Sequence, residues 1–189
     1  DTTAPAAPSA PTLLAASDLG VSNSDGLTSL TTPTLSGTAE AGSTVTVYDG
    51  ATPLGTAVAT GGVWNYTTSA RTHGSHTFSA TATDLAGNVS AASSGLAVSI
   101  DTIAPLVSSV VSPPSGTYYG GNNLDLTVNF NDAVYVDTSE GTPRIPLTIG
   151  SATRYASYVS GSGTSALLFR YTVANGDSDA DGITVGGQP

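Results

Sequence analysis

The chain has 189 residues, among them 14 Asp or Glu, 4 Arg and no Lys, for a formal net charge of −10. Such a surface would not neutralise nucleic-acid phosphate or anionic lipid, and the absence of cysteine excludes disulfides, thiolate metal sites and thiol nucleophiles. An apolar content of 39% supports packed cores, yet no run reaches the eighteen or so apolar residues of a membrane-spanning helix, and no basic-then-apolar start marks a signal peptide.

The chain opens on Asp1-Thr2-Thr3-Ala4-Pro5, as the middle of a longer protein would, and the segment recurs as Asp101-Thr102-Ile103-Ala104-Pro105. The offset is about the size of one immunoglobulin-like sandwich, and proline stiffens short connectors. Two domains are therefore expected, residues 1–101 and 102–189. In the first, Thr12-Leu13-Leu14-Ala15 and Thr34–Thr38 read as strands, followed by the alternating Thr44-Val45-Thr46-Val47-Tyr48. Leu54–Val58, Val63-Trp64-Asn65-Tyr66-Thr67, His76–Thr83 and Leu96–Ile100 continue at period two, with turns at Asp49-Gly50, Gly61-Gly62, His73-Gly74 and Ala86-Gly87-Asn88. About seven short strands in about a hundred residues is the count of a Greek-key sandwich, with Trp64 as its core anchor.

The second domain repeats the style. Val107–Val111 and Leu124–Phe130 read as strands, Ile145–Ile149 and Arg154–Tyr158 flank a Gly150-Ser151 hairpin turn, and Ala166–Val173 and Ile183–Val185 follow. A closing strand like Leu96–Ile100 is missing, so this sandwich is expected to lack its last strand. No helix of three turns is found. The fold expected is all-β: two tandem immunoglobulin-like Greek-key sandwiches.

Asp is common in turns, where its carboxylate bonds the backbone two residues on, and that accounts for part of the acid content. Two clusters ask for more. Asp177-Ser178-Asp179-Ala180-Asp181-Gly182 has the alternating carboxylates and the glycine of a calcium loop, although Gln188 stands where the helix-flanked motif carries Glu and strands surround it. Alternate carboxylates converging on a hard cation are still expected there, because three so close repel unless screened. In the first domain, alternation of strand direction puts the Glu40-Ala41-Gly42 turn and the Asp84–Asn88 loop at the end where Asp1 enters. The Asp18 and Asp25 loop falls at the other end with Asp101. Calcium, which takes six to eight oxygens in irregular cages, suits these groups better than zinc.

The first domain resembles the bacterial immunoglobulin-like repeats of giant surface adhesins, many exported by type I secretion. The matching residues are Ala16–Gly20, Ser24-Asp25-Gly26, Leu35–Val45, Trp64, Ala82–Asn88 and Ile100–Pro105. A companion repeat is resembled more loosely through Leu126–Phe130, Ser160–Thr164 and Asn175–Gly182. The resemblance implies an extender module on the bacterial cell surface, with calcium near domain junctions and Asp1, Asp84, Asn88 and Asp101 as junction ligands. Together with the pattern-based positions, the expected metal ligands are Asp1, Glu40, Asp84, Asn88, Asp101, Asp177, Asp179 and Asp181. The expected partners are neighbouring repeats of the same chain, with host or surface glycans or proteins reached through other domains.

His73 and His76 read as surface turn histidines. No Gly-x-Ser-x-Gly turn or acid–base pair supports a hydrolase, so no enzyme activity is expected. Tyr118-Tyr119, Tyr155 and Tyr158 carry the alternative reading, a carbohydrate- or protein-binding module with an aromatic platform.

Overall fold

Alternation at period two becomes mostly antiparallel pairing among the described residues. The computed structural model describes residues 1–179 and 182–186. It contains two units, Asp1–Ile103 and Ala104–Pro189, which divide inside the second Asp-Thr-x-Ala-Pro segment. No helix among the described residues is long and apolar enough to cross a membrane.

The first unit holds β1 (Thr12–Leu13), β2 (Leu27–Thr28), β3 (Thr34–Thr38), β4 (Thr44–Asp49), β5 (Thr52–Val58), β6 (Val63–Thr67), β7 (Gly74–Thr83) and β8 (Leu96–Ile100). They form two sheets, β1-β3-β6 and β2-β8-β7-β4-β5, the two layers of a sandwich. In β4, Val45 and Val47 point inward and are buried while Thr44 faces solvent. Leu35, Trp64, Phe78, Val98 and Ile100 complete a core whose buried residues are each at most 1% exposed. Trp64 lies across Gly37, its register partner, so closely that a Cβ at position 37 would sit 2.6 Å from the indole ring. Only a residue without a side chain fits beneath that ring.

Two local features depart from the pattern. The first strand stops at Leu13, because Ala15–Ser17 coil into a 3-10 turn. β2 is a two-residue strand parallel to β8, too short for alternation to show.

The second unit holds β9 (Val107–Val111), β10 (Asn123–Val134), β11 (Arg144–Ile149), β12 (Ala152–Ser160), β13 (Thr164–Thr172) and β14 (Thr184–Val185). One antiparallel ladder runs through all six in the order β14-β11-β12-β13-β10-β9. β11, β12 and β13 are consecutive hairpins and β10 lies beside β13, a Greek-key arrangement. One face carries the core, including Leu124, Leu126, Leu147, Ala156, Leu167 and Phe169. Over it stand residues 112–118 and, among the described residues, 177–179 and 182–185, which border a groove of about 610 Å³ floored by Leu124, Leu126, Leu147 and Ile149.

Candidate metal centre

Strand direction sets the ends of the first unit. Thr44 at the start of β4 pairs with Thr83 at the end of β7, so the turn before β4 and the loop after β7 share one end. The first turn closes because Gly42 takes a φ of 85° and Ser43 donates from N and Oγ to the Glu40 carbonyl, at 3.0 and 2.7 Å. In the second, Asp84 Oδ1 accepts from the Asn88 N–H at 2.8 Å and Asp84 Oδ2 from Asn88 Nδ2 at 2.8 Å. Asn88 Nδ2 also lies 3.3 Å from the Asp1 carbonyl oxygen, which ties this loop to the incoming chain. The Asn88 side-chain bond, helped by backbone N–H groups at Ala86, Gly87 and Asn88 and opposed by burial, holds the Asp84 carboxyl below its ordinary range.

The structure thus brings Asp1, Glu40, Asp84 and Asn88 to one end, and Asp1, Glu40 and Asp84 line a single groove of about 230 Å³. The donors are all hard oxygens, which suits calcium. They do not close on one point: among the described residues, no three His, Cys, Asp or Glu side chains are gathered tightly enough to hold a metal ion. The fit is one of composition and placement, and binding a cation would draw the Asp1 and Glu40 side chains together.

Asp101 lies at the other end, on the far side of Gly74, the register partner of Ile100. Its Oδ1 accepts from the Ile103 N–H at 3.0 Å, as Asp1 Oδ1 accepts from Thr3 at 2.9 Å, so both copies of the repeated segment form the same Asx turn. His73 Nδ1 stands 3.3 Å from Asp101 Oδ1. Asp18, also at this end, is 4% exposed, with Oδ2 accepting from Gly26 at 3.1 Å.

In the second unit Asp177 is held by partners within the protein. Its side chain is 3% exposed and turned inward, where Oδ1 accepts from Arg154 Nε at 2.9 Å and Oδ2 from the Ala174 N–H at 2.9 Å and from the Tyr171 hydroxyl. The physical reason is Arg154. Register sets it opposite Leu147 on the core-facing side of β12, where a guanidinium needs a counter-charge. The Tyr171 bond, with Ala174 and Arg154, keeps the Asp177 carboxyl below its usual value against the opposing effect of burial. Asp179 Oδ1 accepts from Gly182 at 3.1 Å, while Asp181 and Gln188 lie outside the described residues.

Other expectations are corrected by packing. His76 is not a surface turn residue: it lies on β7, its side chain 11% exposed, with Nδ1 2.7 Å from Asp49 Oδ2 and the ring stacked on Phe78. Tyr118 packs against the second core and donates its hydroxyl to the Pro114 carbonyl, whereas Tyr119 is exposed. Tyr158 packs edge-on against Phe169, leaving Tyr155 as the open ring on β12. The Arg154–Asp177–Tyr171 network escaped the sequence reading, although alternation puts Arg154 on the same side of β12 as the buried Ala156.

A model of the bacterial Ig-like domain matches residues 3–102. None of the curated proteins matches the chain. Among solved structures, the fibronectin(III)-like modules of Clostridium thermocellum CbhA are similar at 16% identity, covering 77% of this chain and 72% of that one, with a TM-score of 0.34. The match over residues 3–102, on a two-sheet unit sealed around Trp64, identifies the chain as a member of the bacterial Ig-like domain family.

Proposed function

We propose that the chain is a structural extender of a large extracellular bacterial adhesin, serving cell adhesion or biofilm formation and stiffened by calcium. Bacterial Ig-like domains are characteristically extracellular structural modules without catalysis of their own. The observation that carries the calcium reading is the groove at one end of the first unit, where Asp1, Glu40 and Asp84 stand around one space with Asn88 anchoring the loop. Without a cation these carboxylates repel one another. With one bound, the chain entry, the turn before β4 and the loop after β7 become a single rigid end, which is where a neighbouring module of a tandem array would join. Asp101, Asp177, Asp179 and Asp181 stand as further proposed ligands.

Extracellular modules bind calcium at about 10⁻⁴–10⁻³ M. At ten times such a Kd, one site stabilises the fold by about 1.4 kcal/mol, and the effect sums along an array. The test is thermal unfolding of the chain in excess calcium and in chelator. Calcium should raise the transition of the first unit, and Glu40→Gln should reduce that rise while leaving the turn, which is made by the Glu40 backbone carbonyl, in place. Equal melting with and without calcium would remove the proposal.

A further inference from the structure

The outer face of the second unit's sheet carries an arrangement that the extender role does not use. Three of the chain's arginines have a carboxylate among the described residues: Arg71 with Asp49, Arg154 with Asp177 and Arg170 with Asp125. Arg144 instead lies over the ring of Tyr155, its guanidinium carbon 5.1 Å from the centroid, and Tyr155 is 50% exposed. Both residues face away from the core, since they alternate with the buried Leu147 and Ala156.

Register arranges one row across four strands of this face. Arg144 is opposite Ser157, Ser157 opposite Arg170, and Arg170 opposite Asp125. Asp125 takes Arg170 in a bidentate pair at 2.6 and 2.7 Å, which neutralises that end and leaves the Arg144 charge uncompensated within the row. Tyr155 stands two residues along β12 from Ser157 and opposite Pro146, and the next pair on this face, Thr148 and Thr153, is exposed. On a chain of net charge −10, a cation on an aromatic ring, fringed by hydroxyls and fixed on strands rather than loops, is matched to an anion that also offers C–H surface and hydroxyls.

We propose that Arg144, Tyr155 and Ser157 form a platform for a carboxylated sugar. The guanidinium pairs with the sugar carboxylate, the exposed part of the Tyr155 ring packs on the pyranose C–H groups, and Ser157 with the threonine pair bonds the ring hydroxyls. Charge complementarity selects this occupant: a neutral sugar would leave Arg144 unmatched.

The test uses the whole chain, labelled with nitrogen-15, in calcium-free buffer, titrated with trigalacturonate, with the matching neutral galactose trisaccharide and with acetate. Trigalacturonate at millimolar concentration should shift the amide signals of Arg144, Tyr155 and Ser157, and the other two probes should not. Arg144→Gln should weaken binding about tenfold or more, Tyr155→Phe should retain it, and Tyr155→Ala should weaken it. If Arg144→Gln disturbs the fold, Tyr155→Ala against Tyr155→Phe decides in its place. No response to trigalacturonate, a response centred elsewhere, an equal response to the neutral sugar or to acetate, or undiminished binding by Arg144→Gln would each overturn the proposal.

Discussion

The two units bury similar strands in different ways. In the first, a second sheet covers the first, and the core residues from Leu35 to Ile100 are all but closed to solvent. In the second, one six-stranded sheet is covered by irregular segments, a groove of about 610 Å³ opens beside them, and Val128, Phe169 and Val173 keep 7 to 8% exposure. Alternation along a strand decides which side chains turn inward, but not what will lie on them. A second sheet supplies its own backbone bonds and can be sealed by packing alone. A cover of loops must be fastened, and here Asp177 does so by joining the segment after β13 to Arg154 of β12 and to Tyr171.

This contrast sets the size and place of mutational effects. Trp64→Ala should cost about 3–5 kcal/mol, the range for emptying a sealed core, and should lower only the first unit's transition in calorimetry. Leu147→Ala, at the floor of the groove, should cost nearer 2 kcal/mol because its neighbours have room to relax. A larger loss for Leu147→Ala than for Trp64→Ala would break the comparison. Gly37→Ala should destabilise the first unit by about 1–3 kcal/mol, since the new methyl group meets the indole and the indole has no free space to enter. Asp177→Asn should lower the second unit's transition by about 1–3 kcal/mol and leave the first unchanged.

Acidity sharpens the same point. The Asp177 carboxyl titrates below its ordinary range in the folded unit and near pH 4 when unfolded, so in acid the unfolded chain binds more protons. Its stabilisation is present above about pH 4 and is lost as pH falls through the lower folded value. Asp125, held down first by its bond to Arg170, adds to the loss in the same direction. Burial, then the Asp177 bond, raises the Tyr171 hydroxyl, so its contribution is present below about pH 10 and lost as pH rises through the higher folded value. Unfolding followed by a second-unit probe should therefore show a stability plateau bounded on both sides, and Asp177→Asn should flatten the acid edge.

How much of this was legible in the sequence follows from the range of each interaction. The strands were readable because period-two alternation is local: Thr44–Asp49 and Leu124–Val128 behave as their patterns require. The gathering of Glu40 and Asp84 at the Asp1 end was also readable, because it needs only the count of strand reversals. The pairing of Arg154 with Asp177 was not, because it joins positions 23 residues apart through a loop whose path no pattern fixes. The D-x-D-x-D-G spacing says nothing of the guanidinium that pairs with its first carboxylate. His76 was misread for a similar reason: its partner Asp49 comes from a different hairpin.

The most direct measurement is a calcium titration of the nitrogen-15-labelled chain followed residue by residue. Amide signals of Glu40 to Ser43 and Asp84 to Asn88 should move together and saturate at about 10⁻⁴–10⁻³ M. Calcium that leaves the Glu40 and Asp84 turns unmoved at ten times that concentration would contradict the assignment of the metal to the first unit's carboxylate groove.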